Sequence, residues 1–300
     1  MRHFYLLIIG FCLISCKKQS IHHFGSNSEQ IEIDTIEAQA VHGSMDIRIK
    51  ETSGLMEIDG NLWTHNDSGG KTILYQLDDL GNIIKEVTLD VPGNIDWESL
   101  ADDDDYFYVG DFGNNLGKRR ILKIFKGLKS DLNSSNPVPA ETIRFTYEDQ
   151  SSFYDGYNHN FDAEALISYK DHLYIFSKNW LDKKCNVYKL PKTAGTHTAV
   201  KIDQFDTNGL ITGADISDDQ KEIALIGYRF NVRNNQFNSI FFKLREWSED
   251  KFFCSATVQQ NPLSIARQTE AISYHNSGEL WITSENEGPG NPSIFKLVID

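Results

Sequence analysis

The chain is predicted to be all-β: a single closed β-propeller of about five four-stranded blades. Three observations carry that expectation. First, the stretch Asp162 to Asn179, DAEALISYKDHLYIFSKN, is written four more times. The other copies open at Ser53 (SGLMEIDGNLWTHNDSGG), Glu98 (ESLADDDDYFYVGDFGNN), Gly213 (GADISDDQKEIALIGYRF) and Glu270 (EAISYHNSGELWITSENEG). Each copy is two short apolar strands around a polar turn, and repeats built from paired strands stack as blades. Second, no helical period longer than about two turns occurs anywhere. Third, the last copy is followed by a single further strand, so the final blade is one strand short. An N-terminal strand, Ile31–Ile36 or Met45–Lys50, is available to complete it and remove an exposed sheet edge. Six blades remain an alternative if the N-terminal strands and a long insertion conceal another.

In order, blade one is expected at Gly54–Ile58, Leu62–His65, Ile73–Leu77 and Ile83–Leu89, with Asp59-Gly60 and Leu80-Gly81-Asn82 as turn signals. Blade two takes Ser99–Ala101, Tyr106–Val109, Arg120–Phe125 and Thr142–Tyr147, with the loop Ser130 to Pro139 before its last strand. Blade three takes Ala165–Ser168, Leu173–Phe176, Asn186–Leu190 and Thr198–Ile202. Blade four takes Ala214–Ile216, Ile223–Tyr228, Ser239–Leu244 and Phe252–Val258. Blade five has Ala271–Tyr274, Leu280–Thr283 and Ser293–Val298.

The first fifteen residues read as a processing segment: Arg2, an apolar run from Phe4 to Ile14, then Ser15. The run is too short to span a bilayer. Leu13-Ile14-Ser15-Cys16 resembles the bacterial lipobox, which makes Cys16 the lipidated first residue and residues 16–30 a flexible tether to a domain over 31–300. The expected address is the bacterial envelope, at the outer membrane facing the periplasm. A net charge of −14 argues against nucleic acid as a partner, because its binding draws on clustered Lys and Arg. The membrane reached through Cys16, a small ligand or a protein remain as partners, with the chain a monomer. Cys185 and Cys254 are read as unpaired strand cysteines.

Superposing the repeats places Ser53, Glu98, Glu164, Gly213 and Glu270 in one column at the start of the inner strands. Asp96, Asp162 and Gln268 stand two positions earlier. The second strands end at Asn66-Asp67, Asp111, Ser177-Lys178, Gly227-Tyr228-Arg229 and Ser284-Glu285. In a propeller both columns converge on one mouth of the central channel. Carboxylates brought together there repel unless a cation intervenes, and Ca²⁺ accepts an all-oxygen shell. The expected metal ligands are Asp96, Glu98, Asp111, Asp162, Glu164 and Glu270, with Asn66, Asn114, Asn115 and Asn179 able to add amide oxygens. The alternatives are an acidic funnel neutralised by Lys178 and Arg229, or hydrated turns. Ligand contacts are assigned to Asn66, Asp67, Trp97, Lys178, Arg229 and Glu285. Should the site be catalytic, the candidates are Glu98, Glu164, Glu270 and His65, with His159 a second histidine beside the rim. The acid run Asp102 to Asp105 is read as a solvated turn on the opposite face. The column also predicts that Glu164→Gln leaves the calcium-free protein as stable as the parent, or more so.

The motifs THNDSGG, DWESLA, YVGDFGNN, DAEAL, TGADIS and TEAI resemble a widespread family of uncharacterised bacterial lipoprotein propellers, with the pattern THNDSG, DWE, GDxGDN, EAL and GEA over about residues 50 to 300. More distantly, the chain is similar to the SdiA-regulated family and to the calcium-bearing propellers of the esterase and phytase type. Here Asn114 stands where that pattern has an aspartate, which implies a weaker metal there. The resemblance implies a fold and a site, but brings no activity. No GxSxG elbow, HExxH, P-loop or clustered CxxC is present. The expected function is a binding module with an acidic, Ca²⁺-holding mouth. The alternative is a metal-dependent hydrolase of the lactonase, phosphoesterase or glycosidase kind.

Overall fold

The computed structural model describes residues 34–42, 44–153, 156–276, 278–285 and 292–298. The processing segment, Cys16 and the tether lie outside the described residues. The described part is all-β apart from two single helical turns, α1 (Asp131–Ser134) and α2 (Phe252–Ser255).

One strand, β1 (Glu37–His42), precedes the first repeat. The strands that follow fall into successive antiparallel runs. The first run is β2 (Thr52–Ile58), β3 (Asn61–Asn66), β4 (Ile73–Leu77) and β5 (Ile83–Asp90). The second is β6 (Trp97–Asp102), β7 (Tyr106–Asp111), β8 (Leu122–Leu128) and β10 (Glu141–Tyr147), with the two-residue β9 (Val138–Pro139) pairing back onto β5. The third is β11 (Asp162–Tyr169), β12 (His172–Lys178), β13 (Cys185–Pro191) and β14 (Gly195–Phe205). The fourth is β15 (Leu210–Ile216), β16 (Glu222–Asn231), β17 (Gln236–Arg245) and β18 (Thr257–Pro262). The last is β19 (Thr269–His275), β20 (Glu279–Ser284) and β21 (Ser293–Val298). A parallel pairing of β10 with β14 joins the second and third runs into one eight-stranded sheet.

The strand completing the last run is β1, which pairs antiparallel with β21 from Glu37↔Val298 to His42↔Ile294. It lies between the two segments expected from the sequence. Residues 31–33 fall outside the described residues, Ile36 makes only an isolated bridge to Leu263, and Met45–Lys50 is turn and coil. The closing strand alternates the exposed Glu37 and Gln39 with half-buried Ala38, a pattern suited to an edge, whereas buried Met45 and Ile49 pack in a core cluster. The outer strand of the fourth run also moves. Phe252 to Ser255 forms α2, capped by Asp203, whose carboxylate accepts the Phe253 N–H at 2.7 Å and the Cys254 N–H at 3.0 Å, and the strand starts at Thr257. Cys185 and Cys254 form no disulfide; Cys185 lies in β13 as expected of a strand cysteine, whereas Cys254 lies in α2.

Burial follows position in each run. The first strands β2, β11 and β19 are buried along almost their whole length, whereas the outer β5 and β14 alternate. A strand with sheet neighbours above and below needs small or apolar residues on both faces, and an outer strand only on one. The five first strands pack in a closed cycle, β2 on β6, β6 on β11, β11 on β15, β15 on β19 and β19 on β2. The core is correspondingly divided into clusters lying between consecutive runs. One sets Ile124 and Phe145 against Leu166 and Ile175, and another closes the cycle with Leu55 and Leu62 against Ala271 and Trp281.

Candidate functional site

Each first strand carries a β-bulge at the same place. The pairing register skips between Thr52 and Gly54, Trp97 and Ser99, Ala163 and Ala165, Ile211 and Gly213, and Thr269 and Ala271. The residues left out are therefore Ser53, Glu98, Glu164, Thr212 and Glu270. An extra residue in one strand bends it and re-aims a side chain. This is how acids in otherwise apolar inner strands come to face an opening. The column expected from sequence is reproduced except in β15, where Thr212 takes the place assigned to Gly213. Gly213 instead pairs in register with Ile226.

Ser53, Glu98, Glu164 and Glu270 line a cavity of about 370 Å³, together with Asp67, Asn115, Tyr157, Lys178, Trp180, Tyr228, Gln268 and Glu285. The three bulged glutamates are 2–3% exposed. Ser53 Oγ donates to Glu98 Oε2 at 2.9 Å, Lys178 Nζ to Glu164 Oε1 at 3.1 Å, and Gln268 Nε2 to Glu270 Oε1. The Lys178 ammonium also lies 5.1 Å from the Trp180 ring centroid and 5.7 Å from that of Tyr228. Among the described residues, Glu98 Oε1, Glu164 Oε2 and Glu270 Oε2 accept no hydrogen bond.

At one side of this mouth, carboxylate oxygens of Asp67, Asp96 and Glu98 lie within 4.8 Å of one another. Gly113 closes over them: a Cβ there would stand 2.2 Å from Glu98 Oε1 and 2.5 Å from Asp96 Oδ2, and the Gly113 N–H donates to the Asp96 carbonyl at 3.1 Å. Only glycine lets the backbone approach so closely.

Burial and mutual repulsion hold these acids far from their ordinary range. Burial, then Asp96, pushes Asp67 up to about 7. Burial and the Asp162 charge lift Asp96 to about 6. Burial lifts Glu98 well above the carboxylate range, with Glu164 adding to it. Glu270 is raised to about 8 by burial, partly offset by Lys178. Burial raises Glu164 too, against the pull of the Lys178 ammonium.

The remaining sequence candidates are placed elsewhere. Asp111 accepts from Arg119 Nη2 at 2.7 Å and does not line the cavity. Asp162 is pinned between the Asn114 N–H (2.6 Å) and the Trp180 indole N–H (2.8 Å), and it does not line the cavity that Glu164 does. Asn66 spends its amide on Lys50, Glu51 and Arg48 backbone. Asn114 and Asn179 are likewise tied up locally, and of the four asparagines only Asn115 lines the cavity. Arg229 donates to the Asn208 carbonyl and, among the described residues, pairs with no mouth acid. Trp97 is fully buried and meets His65 edge-to-face at 5.5 Å, so it packs between sheets and offers no stacking surface. His65 is equally buried, and burial lowers it to about 4. It lines no part of the mouth. His159 is held between the Asn115 carbonyl and the Phe161 N–H.

Sequence reasoning missed Tyr157 and Trp180, which sit in the loops before and after the third repeat's strand pair. Their signal was YNHN and KNW flanking the acid columns. The run Asp102 to Asp105 is a turn anchored by ion pairs, Lys129 with Asp102 and Lys192 with Asp103, both at 2.8 Å. A larger depression of about 790 Å³ lies at the β15–β16 and β19–β20 turns. Its Glu222 is matched by Lys243 and Arg245, and it gathers no bulged residue.

No protein-family model and no curated protein matches the chain. Solved structures do. An exo-β-1,3-galactanase from Phanerochaete chrysosporium, determined with β-1,3-galactotriose, aligns at TM-score 0.54 and 10% identity over 86% of this chain and 64% of its own. An exo-1,5-α-L-arabinanase from a bovine ruminal metagenomic library aligns at TM-score 0.47 and 14% identity over 91% of this chain and 97% of its own. The PQQ-bound aldose sugar dehydrogenase from Streptomyces coelicolor aligns at TM-score 0.45 and 12% identity over 89% and 98%. At such identities the likeness is one of all-β fold.

Proposed function

We propose that the protein is a lipid-anchored envelope protein, a five-bladed propeller closed by β1, whose acidic mouth holds a hard cation and binds a ligand. The observation that carries this reading is the convergence of Asp67, Asp96 and Glu98 oxygens within 4.8 Å. Three carboxylates at that spacing cannot all ionise at neutral pH without a countercharge, and protons or a cation must supply it. The donor set is all oxygen, which suits Ca²⁺ better than a thiolate- or imidazole-seeking metal. Asp96 and Glu98 belong to the set expected from sequence. Asp67 joins them, and Asp111, Asp162, Glu164 and Glu270 have protein partners instead.

Thermal melting with calcium or with EDTA tests it. Calcium binding only to the folded site should raise Tm by mass action, and Glu98→Gln should abolish the rise. A parent protein whose melting ignores calcium, magnesium and manganese removes the cation reading.

A second reading, a metal-dependent hydrolase, is favoured by Glu270, whose carboxyl holds its proton to about 8 and could serve as a general acid. A bound cation would polarise a substrate oxygen or activate water. The base would be a carboxylate, because His65 lines no part of the mouth. Hydrolysis of ester, lactone, phosphoester or glycoside substrates, lost in Glu270→Gln, would establish it.

A further inference from the structure

We infer that the ligand of this mouth is a neutral saccharide, held against Tyr157 and hydrogen-bonded by Glu164, Glu270 and Lys178. This rests on the reading of the mouth as a ligand site. Charge sorts the candidates first. Asp67, Glu98, Glu164, Glu270 and Glu285 line the cavity with a single ammonium, Lys178, which is already paired with Glu164. Phosphoesters and other anions therefore find carboxyl groups and no free cationic side chain among the lining residues. Organic cations meet a different obstacle. Lys178 Nζ already occupies the place such a group would seek, 3.1 Å from Glu164 and 5.1 Å from the Trp180 ring centroid. A second cation beside it would be repelled.

A neutral polyhydroxylated ligand meets neither. Glu164 Oε2 and Glu270 Oε2 belong to side chains 2% and 3% exposed, line the cavity and accept nothing among the described residues. Hydroxyl groups donate to such oxygens, and accept in turn from Lys178, which has donors beyond the one spent on Glu164. The rim supplies the apolar half. Tyr157 is 58% exposed and meets Trp180 edge-to-face at 4.9 Å, while Asp162 fixes the Trp180 ring through its indole N–H. A tyrosine held on one side and open on the other presents apolar surface with a polar tip, which suits the C–H face of a sugar. A cavity of about 370 Å³ is in the range of small-ligand sites.

The test is isothermal titration calorimetry on the full chain in detergent, with calcium chloride or EDTA. The probes are neutral tetrasaccharides of galactose, arabinose and xylose, with tetragalacturonic acid and tetra-arginine as charged comparators. At least one neutral tetrasaccharide should bind and the anionic one should not. Tyr157→Ala should weaken that binding about tenfold while leaving any calcium-induced rise in melting temperature intact. Calcium stabilisation with no neutral saccharide bound overturns the ligand class and spares the cation reading. Binding of tetra-arginine alone, or saccharide binding indifferent to Tyr157→Ala, overturns it as well. Saccharide binding in a calcium-indifferent protein upholds it and removes the cation reading.

Discussion

Glu164→Gln and Glu98→Gln put the same chemical change at equivalent bulges and are expected to have opposite effects. Column position alone predicted that Glu164→Gln leaves the calcium-free protein unharmed. The structure reverses that expectation. Glu164 is paired at 3.1 Å with Lys178, and both side chains are below 8% exposed. Removing one partner of such a pair leaves a buried ammonium uncompensated, which costs about 3–5 kcal/mol. Glutamine keeps an oxygen for Lys178 to donate to, and Glu270 still faces that ammonium, so the low end, about 3 kcal/mol, applies. At about 2 °C per kcal/mol for a chain of this size, the melting temperature falls by about 6 °C. Among the described residues Glu98 has no cationic partner: it accepts from Ser53 and is crowded by Glu164 and Asp67. Its neutralisation should therefore leave the calcium-free protein at or above the parent.

The assay is circular dichroism melting of parent, both single variants and Glu164→Gln/Lys178→Met in EDTA at neutral pH. The double variant should recover most of the loss, because replacing a buried pair by apolar groups is close to neutral. If Glu164→Gln melts at or above the parent while Glu98→Gln falls, the pair is not holding the mouth together and the reasoning fails.

Stability of the calcium-free protein should fall as pH rises from about 4.5 to 8. Asp96, Asp67 and Glu270 are raised to about 6, 7 and 8, so their protonated forms stabilise the fold below the unfolded-state pKa and that contribution is lost as pH climbs through each folded value. Calcium should flatten the slope, and urea melts at stepped pH would show it. Gly113→Ala should destabilise the protein by about 1–3 kcal/mol and blunt any calcium response, since its Cβ would meet Glu98 Oε1 at 2.2 Å. His65 should titrate near 4 by NMR and not near 6.5. Its contribution is present above the unfolded value and lost as pH falls through the folded one, opposite in sign to the acids.

The repeats were legible because a strand pair around a turn leaves a pattern in any blade, and inner strands announce themselves by lacking polar alternation. The acid column was legible for a related reason. Carboxylates at Glu98, Glu164 and Glu270, inside segments otherwise apolar, have no packing purpose. Their partners were not legible. Whether Asp111 faces the mouth or an arginine depends on Arg119, eight residues on and across a loop turn, and no local periodicity encodes that. The bulges themselves were not legible either, because a bulge between an alanine and an alanine has no signature in residue type. In β15 the same device shifted the column by one residue, from Gly213 to Thr212, and only the pairing register reveals it. The bulges also explain why the mouth is worth its electrostatic cost. An unbulged strand would bury these acids in the clusters between sheets, where nothing could satisfy them. Repeating the bulge at each inner strand sends them to one opening, where Lys178 and Ser53 serve two of them and oxygens of all three remain open to a ligand.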